Sequence, residues 1–329
     1  MPRHSILIAA FNRFDYLFST VMSCLASNDP DFELLINDDA STTSETDYFY
    51  DRLASLDSRI SIYRNASNEG VGTRIQELHT YAQGKYIHVI GSDDLMHPAR
   101  MPMVVRDLDP LISPHVIWCS QAVYLDQAFR RLGTSESRYT SSYLKALLFL
   151  QPGILHPTVS YYHPDISKHV PYRSGMKAAV DYMFYVDNYF ACPIFFRKMP
   201  LTYLVHSSTG ITRSSDMRSV QLAMHDYAMF RLWSYYIPCQ LSHISILRSL
   251  LVADEYPSVD VSRLNSNDYL GLIHLVKTLQ HAVHTSNCSV PGFNANSRDL
   301  VLGHQFMQSF DSIIFSINER ISRCAKSTS

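Results

Sequence analysis

The chain has 329 residues, 46% hydrophobic and 18% charged, with Lys+Arg 28 against Asp+Glu 30 and a formal charge of -2. That apolar content with so little net charge excludes a disordered chain, and the lack of a basic excess argues against a nucleic-acid binder. Six cysteines with no CxxC pair, and 11 glycines with no period, exclude a zinc ribbon, a dense disulfide framework and a collagen. The cysteines read as buried free thiols of a reducing compartment. No run reaches the roughly 18–20 apolar residues of a membrane span. The apolar stretch Ile6 to Phe11 is only strand-length, and Asn12, Arg13 and Asp15 follow at once, so it does not read as a signal peptide. A cytoplasmic protein is expected, with peripheral contact at the inner face of a membrane left open.

The first 130 residues alternate regularly. Ser5–Ala10 (SILIAA) is a strand apolar on both faces. Asp15 is placed to cap a helix over Tyr16–Ala26, where Leu17, Val21, Cys24 and Leu25 fall at helical spacing. Phe32–Asn37 is a second strand, closed by Asp38-Asp39-Ala40-Ser41, and a helix follows near Thr43–Leu56. Ile60–Arg64 is a third strand. The turn Asn68-Glu69-Gly70-Val71-Gly72 leads into a helix over about Thr73–Ala82, with Gly84 as a left-handed cap. Tyr86–Ile90 is a fourth strand ending at Gly91-Ser92-Asp93-Asp94. Pro98 suits a helix start, and His115–Leu125 is a fifth strand. Tyr143–Leu150 and Met176–Asn188 read as helices and Thr158–Tyr162 as a strand. Helical patterns return at Gln221–Tyr235, Tyr269–His284 and Leu300–Arg323, with a loop at Ser286–Asn296. In the last helix Ile313, Ile314, Ile317 and Ile321 share a face, which reads as packing on the body of the protein.

Alternating strands and helices at this spacing require parallel crossovers, hence a doubly wound α/β sheet. Ligands of such sheets bind beyond the carboxyl ends of the strands. Phe11 and Asn12, Asp38 and Asp39, Asn68, and Asp93 and Asp94 all fall at such ends. Adjacent carboxylates there can hold a hard divalent cation and leave positions open for phosphate oxygens. A carboxylate after the second strand can accept from a ribose hydroxyl or a base N–H. Taken singly, each pair serves equally as a helix-capping turn. The first loop, Ala9-Ala10-Phe11-Asn12-Arg13-Phe14, has no glycine, which excludes a GxGxxG dinucleotide site. The chain also lacks a P-loop, a GxSxG elbow and an HExxH zinc motif, and its 15 histidines are scattered.

In order, the runs SILIAAFNRFDYL, FELLINDDAS, NASNEGVG and GKYIHVIGSDDLMHP resemble the family 2 glycosyltransferases over residues 3–105. The resemblance continues through Leu155-His156-Pro157-Thr158-Val159, similar to an HPT segment, and Ala178-Ala179-Val180-Asp181-Tyr182, similar to an ED motif. It ends with Tyr203-Leu204-Val205-His206; beyond about residue 215 no family signal is visible.

The resemblance implies a GT-A fold: a doubly wound, mostly parallel sheet with a helical C-terminal extension. Its domains would be a nucleotide-sugar-binding and catalytic domain over 1–215 and a helical region over 216–329. It implies transfer of a sugar from a nucleotide diphosphate donor, UDP for preference, to a saccharide or lipid-linked acceptor hydroxyl. The anomeric carbon inverts, and Mn2+ or Mg2+ is the cofactor. By the same resemblance Phe11, Asn12 and Asp39 hold the nucleoside, Asp93 lies beside the ribose or donor sugar, Asp94 contacts the metal, and Asp181 is the general base. Asn68 and Gly70 support the nucleotide loop, Arg74 can reach a base or phosphate or be an exposed helix residue, and His206 can ligate the metal, touch phosphate or be a structural loop histidine. The family's setting is bacterial surface-polysaccharide synthesis. Two departures stand out: Gly91 replaces the first acid of the D-x-D-D pattern, and Val180 replaces the acid beside Asp181. They keep a non-catalytic, sugar-nucleotide-binding or partner-binding relative as the alternative, with a nucleotidyltransferase third. Tyr161, Tyr162, Tyr182 and Tyr185 are candidate stacking platforms for acceptor rings, or packing residues.

Overall fold

The computed structural model describes residues 1–111, 116–135, 141, 144, 148, 153–162, 172–176, 178–188, 192–206, 215–234, 244, 273–274 and 276–277. The chain divides into two compact units, one of Met1–Ser141 with Gly153–Ser214, the other of Ser142–Pro152 with Ser215–Ser329. Of the second unit, the described element is one long helix, Ser215–Ser234, in which Ala228, Met229, Leu232 and Trp233 are buried. The helices expected at 143–150, 269–284 and 300–323, and the loop at 286–296, lie wholly or almost wholly outside the described residues.

The first unit opens as β1 (His4–Ala10), α1 (Phe14–Leu25), β2 (Phe32–Asp38), α2 (Thr46–Ala54), β3 (Ile60–Arg64), α3 (Val71–Tyr81) and β4 (Tyr86–Val89). A two-residue β5 (Leu95–Met96), α4 (Arg100–Leu108), β6 (Ile117–Leu125) and β7 (Arg131–Thr134) follow. A 3-10 turn at His156–Thr158 leads into β8 (Ser160–Tyr162), and α5 (Val180–Asp187) and β9 (Ile194–Val205) complete it. The sheet order is β3-β2-β1-β4-β8-β6-β9-β5, with β7 on β6.

Strands β3, β2, β1 and β4 are parallel. The chain steps outward from β1 to β3 and then returns to β4 on the other side of β1, so the topological switch lies between β1 and β4. A crevice opens at the carboxyl ends there. Strand β8 is antiparallel to both β4 and β6, and β9 is parallel to β6. The carboxyl ends of β6 and β9 therefore point the same way as that of β4, and the amino end of β8 lies on this same rim.

Burial explains the sequence pattern. Ile6, Leu7 and Ile8 of β1 are each 0% exposed because both faces of the sheet are covered. In α1, Leu17, Val21 and Cys24 form the inward stripe against Ile6, Ile8, Leu34 and Ile36. Fully burying each such aliphatic side chain contributes roughly 1.5–3 kcal/mol. A second cluster joins Tyr86, Val104, Leu108, Trp118 and Leu201 beneath α4. Cys24, Cys119 and Cys192 are buried free thiols, and burial pushes the Cys24 thiol up to about 12.

Several local expectations are corrected. Asp15 does not cap α1; it sits inside the first turn, after Arg13 at the N-cap position. The helix expected near Thr43–Leu56 starts later, at Thr46, and no side chain caps it, so Asp39 does not serve as a cap. The twelve-residue β9 has no counterpart in the sequence reading; it carries Pro200 at a register shift opposite Gln121, where a missing N–H is tolerated. Gly84 is not left-handed, because α3 ends at Tyr81 and the positive-φ glycines are Gly70 and Gly175. It is required for space: its amide donates to Ser5 Oγ at 2.8 Å, and a Cβ there would lie 2.5 Å from the His4 carbonyl carbon.

Gly84→Ala is expected to cost about 1–3 kcal/mol, since the obstructing atoms are β1 backbone and cannot yield. Gly133→Ala in β7, where a Cβ meets nothing within 4 Å, serves as the control in chemical denaturation.

Candidate functional site

The rim is assembled from loop to loop. Asn12, in the left-handed region at φ 51, receives no strand partner and instead ties β1 to β2. Its amide donates to Ser41 Oγ at 2.8 Å, and the Thr42 amide donates to Asn12 Oδ1 at 3.0 Å. Phe11 beside it is exposed. Asp38 turns away from the rim and accepts from Tyr50 Oη at 2.9 Å and from the Ser41 hydroxyl, so it fixes the loop.

Asp39 turns toward the start of α3 and is almost fully buried. Its carboxylate accepts from the amides of Glu69 and Gly70, both at 2.9 Å, and from Arg74 Nε at 2.7 Å. Asn68 Nδ2 donates to its carbonyl at 3.2 Å. Gly70 adopts φ 91, which glycine reaches without a Cβ penalty and which aims both amides at the acid. Arg74 lies inside this bracket, 2% exposed. Besides Asp39 it donates to both oxygens of Glu77 at 2.9 Å and to the Ser67 carbonyl at 2.6 Å. Its guanidinium is thus committed inward, and what it governs is the shape of the 67–72 loop.

At the end of β4, Asp93 is half-buried and Asp94 buried. The amide of Val205, the last residue of β9, donates to Asp94 Oδ1 at 3.1 Å. Burial first, and the neighbouring Asp93 charge second, push the Asp94 carboxyl well above the usual carboxylate range. A Cβ on Gly91 would overlap Asp94 Oδ2, so the residue that replaces the first acid of the motif is the one over which Asp94 folds back. His206 follows Val205 directly, is exposed, and packs edge-on to Tyr124 at 5.3 Å. Among the described residues no three of His, Cys, Asp or Glu gather closely enough to hold a cation alone. The donor set at β4 is two hard carboxylates, which suits a divalent ion that completes its shell with water and phosphate oxygens.

Asp181 enters from a different stretch. Ala179 at φ 51 precedes α5, and Val180 packs against α3, where Gly72 is bare: a Cβ there would lie 3.3 Å from Val180 Cγ2 and 2.7 Å from the Arg173 carbonyl. The Gly175 amide donates to Thr73 Oγ1 at 3.0 Å, and Arg173 clamps Asp187 with bonds of 2.5 and 2.7 Å. Asp181, partly exposed in the first turn of α5, directly follows Val180, which packs at Gly72 near the start of α3. One turn on, Tyr185 Oη meets His156 Nδ1 at 2.7 Å, and Tyr172 Oη meets His156 Nε2 at 3.1 Å. Burial lowers the His156 pKa, and the Asp181 charge opposes the shift. Sequence reasoning noticed the 156–158 segment without foreseeing this contact. It also offered Tyr161, Tyr182 and Tyr185 as stacking platforms; all three are buried core residues, and of the four only Tyr162 is partly exposed.

The sequence profile of glycosyl transferase family 2 matches residues 5–170. The chain belongs to this family. It is 31% identical over 93 residues to TuaG of Bacillus subtilis (strain 168), a glycosyltransferase provisionally assigned to teichuronic acid biosynthesis, covering 28% of this chain and 36% of that one. It is 24% identical over 193 residues to an uncharacterized glycosyltransferase of Methanocaldococcus jannaschii, covering 56% and 64% respectively. The alignments thus span less than two thirds of these relatives. Among solved structures, Staphylococcus aureus TarS 1-349 in complex with UDP-GlcNAc superposes with TM-score 0.59 at 13% identity, over 98% of this chain and 92% of that one. The mannosyltransferase PcManGT of Pyrobaculum calidifontis, in complex with GDP-Man and Mn2+, gives 0.55 at 12% identity, over 97% and 87%. The fold is GT-A.

Gly91→Ala tests the fold-back of Asp94. The added methyl must displace a carboxylate held by the Val205 amide, and the expected loss is about 1–3 kcal/mol in thermal or denaturant unfolding. A variant as stable as the parent chain would show that Asp94 moves freely.

Proposed function

We propose that this family 2 chain is an inverting glycosyltransferase, taking a sugar from a nucleoside diphosphate donor, with UDP as the nucleotide, to a hydroxyl of a saccharide or lipid-linked acceptor. The observation that supports the reading is that Asp39 and Asp94 lie beyond the carboxyl ends of the parallel strands β2 and β4, with Val180, next to Asp181, packed on the start of α3 at Gly72. The UDP and UDP-GlcNAc bound by TarS support the nucleotide, and the relation to TuaG supports a role in bacterial surface polysaccharide. The proposed location is the cytoplasm, with contact at the membrane's inner face where the acceptor is lipid-linked. Among the described residues no helix is long and apolar enough to cross a membrane.

In this reading Phe11, Asn12 and Asn68 border the nucleoside. The Asp39–Arg74 bracket holds the 67–72 loop in the shape that receives it. Asp93 lies toward the ribose and donor sugar, and Asp94, with His206, faces the cation. Mn2+ or Mg2+, when bound, would supply Lewis-acid neutralisation of the leaving diphosphate. Asp181 accepts the acceptor's O–H proton as that oxygen bonds to the anomeric carbon. The bond from that carbon to the diphosphate oxygen breaks on the opposite face, its electron pair leaving with the nucleotide. One displacement needs one base, and it inverts the centre.

Asp181→Asn is expected to lower kcat roughly 10²–10⁴-fold, the usual worth of a positioned general base, with UDP affinity unchanged. Asp94→Ala should instead weaken UDP binding only when Mn2+ is present, as read by calorimetry. Donor identity is decided by thermal stabilisation against UDP-, GDP-, CMP- and dTDP-sugars, since binding to the folded form raises Tm. Binding without turnover across a broad donor and acceptor panel would make the chain a binding relative instead.

A further inference from the structure

Arg100 opens α4 and is fully buried. Among the described residues its hydrogen-bond acceptors are all neutral oxygens. Nη1 donates to the Pro157 carbonyl at 2.5 Å and to Thr202 Oγ1 at 3.2 Å. Nη2 donates to the Val159 carbonyl at 2.6 Å, to Ser160 Oγ at 3.3 Å and to the Val89 carbonyl at 3.4 Å. Nε finds no partner among the described residues. Burial lowers this guanidinium to about 10, and the neighbouring Asp94 carboxyl works against that shift. A buried cation without a hydrogen-bonded counter-ion costs several kcal/mol, so its retention calls for a reason.

The acceptors supply one. Val89 ends β4, immediately before the loop that carries Asp93 and Asp94. Pro157 and Val159 belong to the turn whose His156 holds Tyr185, one helical turn from Asp181. Thr202 lies in β9, three residues before the Val205 amide that binds Asp94. One planar fork therefore joins the end of β4 and the β9 residue near the Asp94 contact to the turn that meets α5 through Tyr185.

A second network meets this fork at the Ser160 hydroxyl. Ser160 Oγ, accepting from Arg100, donates to His88 Nδ1 at 2.8 Å; His88 Nε2 donates to His4 Nδ1 at 2.9 Å; His4 Nε2 donates to Asp29 Oδ2 at 3.2 Å. This assignment of tautomers gives every one of these groups a partner. Burial holds both imidazoles below the usual histidine range, hence neutral. The chain runs from a cation to an anion with each dipole pointing the same way.

We propose that Arg100 is a positioning residue shared by the two acids: it fixes the β4 end that bears Asp94 against the turn that steers Asp181, and its buried charge offsets the carboxylates gathered at the rim. The proposal rests on the transferase reading above. Arg100→Lys keeps the charge but loses the fork, and Ser160→Ala breaks the oriented chain while leaving Arg100 its carbonyls.

Both variants are compared with the unaltered chain by thermal unfolding, by UDP titration with and without Mn2+, and by donor turnover with kcat and KM separated. For Arg100→Lys, measured well below its Tm, kcat and the Mn2+-dependent part of UDP affinity are each expected to fall about 10–100-fold, the usual effect of removing a supporting partner. UDP affinity without the cation, set at the β1–β3 loops, should not change. Ser160→Ala should move the same two quantities in the same direction by a smaller factor, and it decides the matter if Arg100→Lys fails to fold. Variants that lose only Tm, with kcat and cation-dependent affinity intact, would make Arg100 a fold brace and overturn the proposal. If the unaltered chain binds nucleotide but never turns it over, the transferase reading fails, and the cation-dependent affinity of the variants still decides on Arg100.

Discussion

A carboxylate buried at the end of a parallel strand must find compensation nearby, and the two acids of this rim find it to different degrees. Asp39 is answered in full: two backbone amides and the Arg74 guanidinium share its two oxygens. Asp94 is answered in part, by the single amide of Val205 and by the Arg100 charge, which acts on it without a hydrogen bond between them. The difference separates their capacities. A satisfied acid shapes a loop and resists change. An acid whose carboxyl is pushed upward by burial gains most from an added positive charge, the electrostatic condition that the proposed cation site requires.

The four parallel strands were legible because burial on both faces leaves an almost unbroken apolar run, punctuated by polar clusters at the carboxyl ends. The rim was legible for the same reason: parallel strands place their last residues on one edge. The rest depends on contacts that strand periodicity does not encode. Strand β9 carries Lys198 and Pro200 in its middle and reads as irregular until its bulge against β6 is seen. The adjacent acids Asp38 and Asp39 are equivalent on paper, yet one faces Tyr50 and the other α3. Arg74, offered as a nucleotide-sugar residue, is buried against Asp39, Glu77 and the Ser67 carbonyl, and Arg100, which the sequence reading did not single out, is buried by oxygens contributed from elsewhere in the fold. Gly84 looks like a helix cap and is instead a gap through which the chain passes Ser5.

The two departures from the family pattern have a common physical form. Where an acid is missing, a close contact takes its place. Gly91 leaves the volume into which Asp94 folds, and Val180 fills the space left open by Gly72 at the start of α3. An acid at 91 would compete with Asp94 for that volume and add a third negative charge beside Asp93 and Asp94. An acid at 180 would put a charge into an apolar contact, next to the Arg173 carbonyl that also closes on Gly72.

These contacts bear directly on Asp181. Ala179 holds a left-handed conformation that an alanine adopts at a cost of about 1–3 kcal/mol, sustained only where the surroundings over-determine it. Here the surroundings are identifiable: Val180 seated against α3 on one side, and the His156–Tyr185 bond and the Arg173–Asp187 clamp on the other. The strain sits two residues before the carboxylate and fixes the direction in which α5 leaves the rim. An apolar side chain seated against α3 thus stands beside Asp181 where the family pattern has an acid. In the proposed transfer one carboxylate held in this way would serve as the single base, since one proton leaves one alcohol.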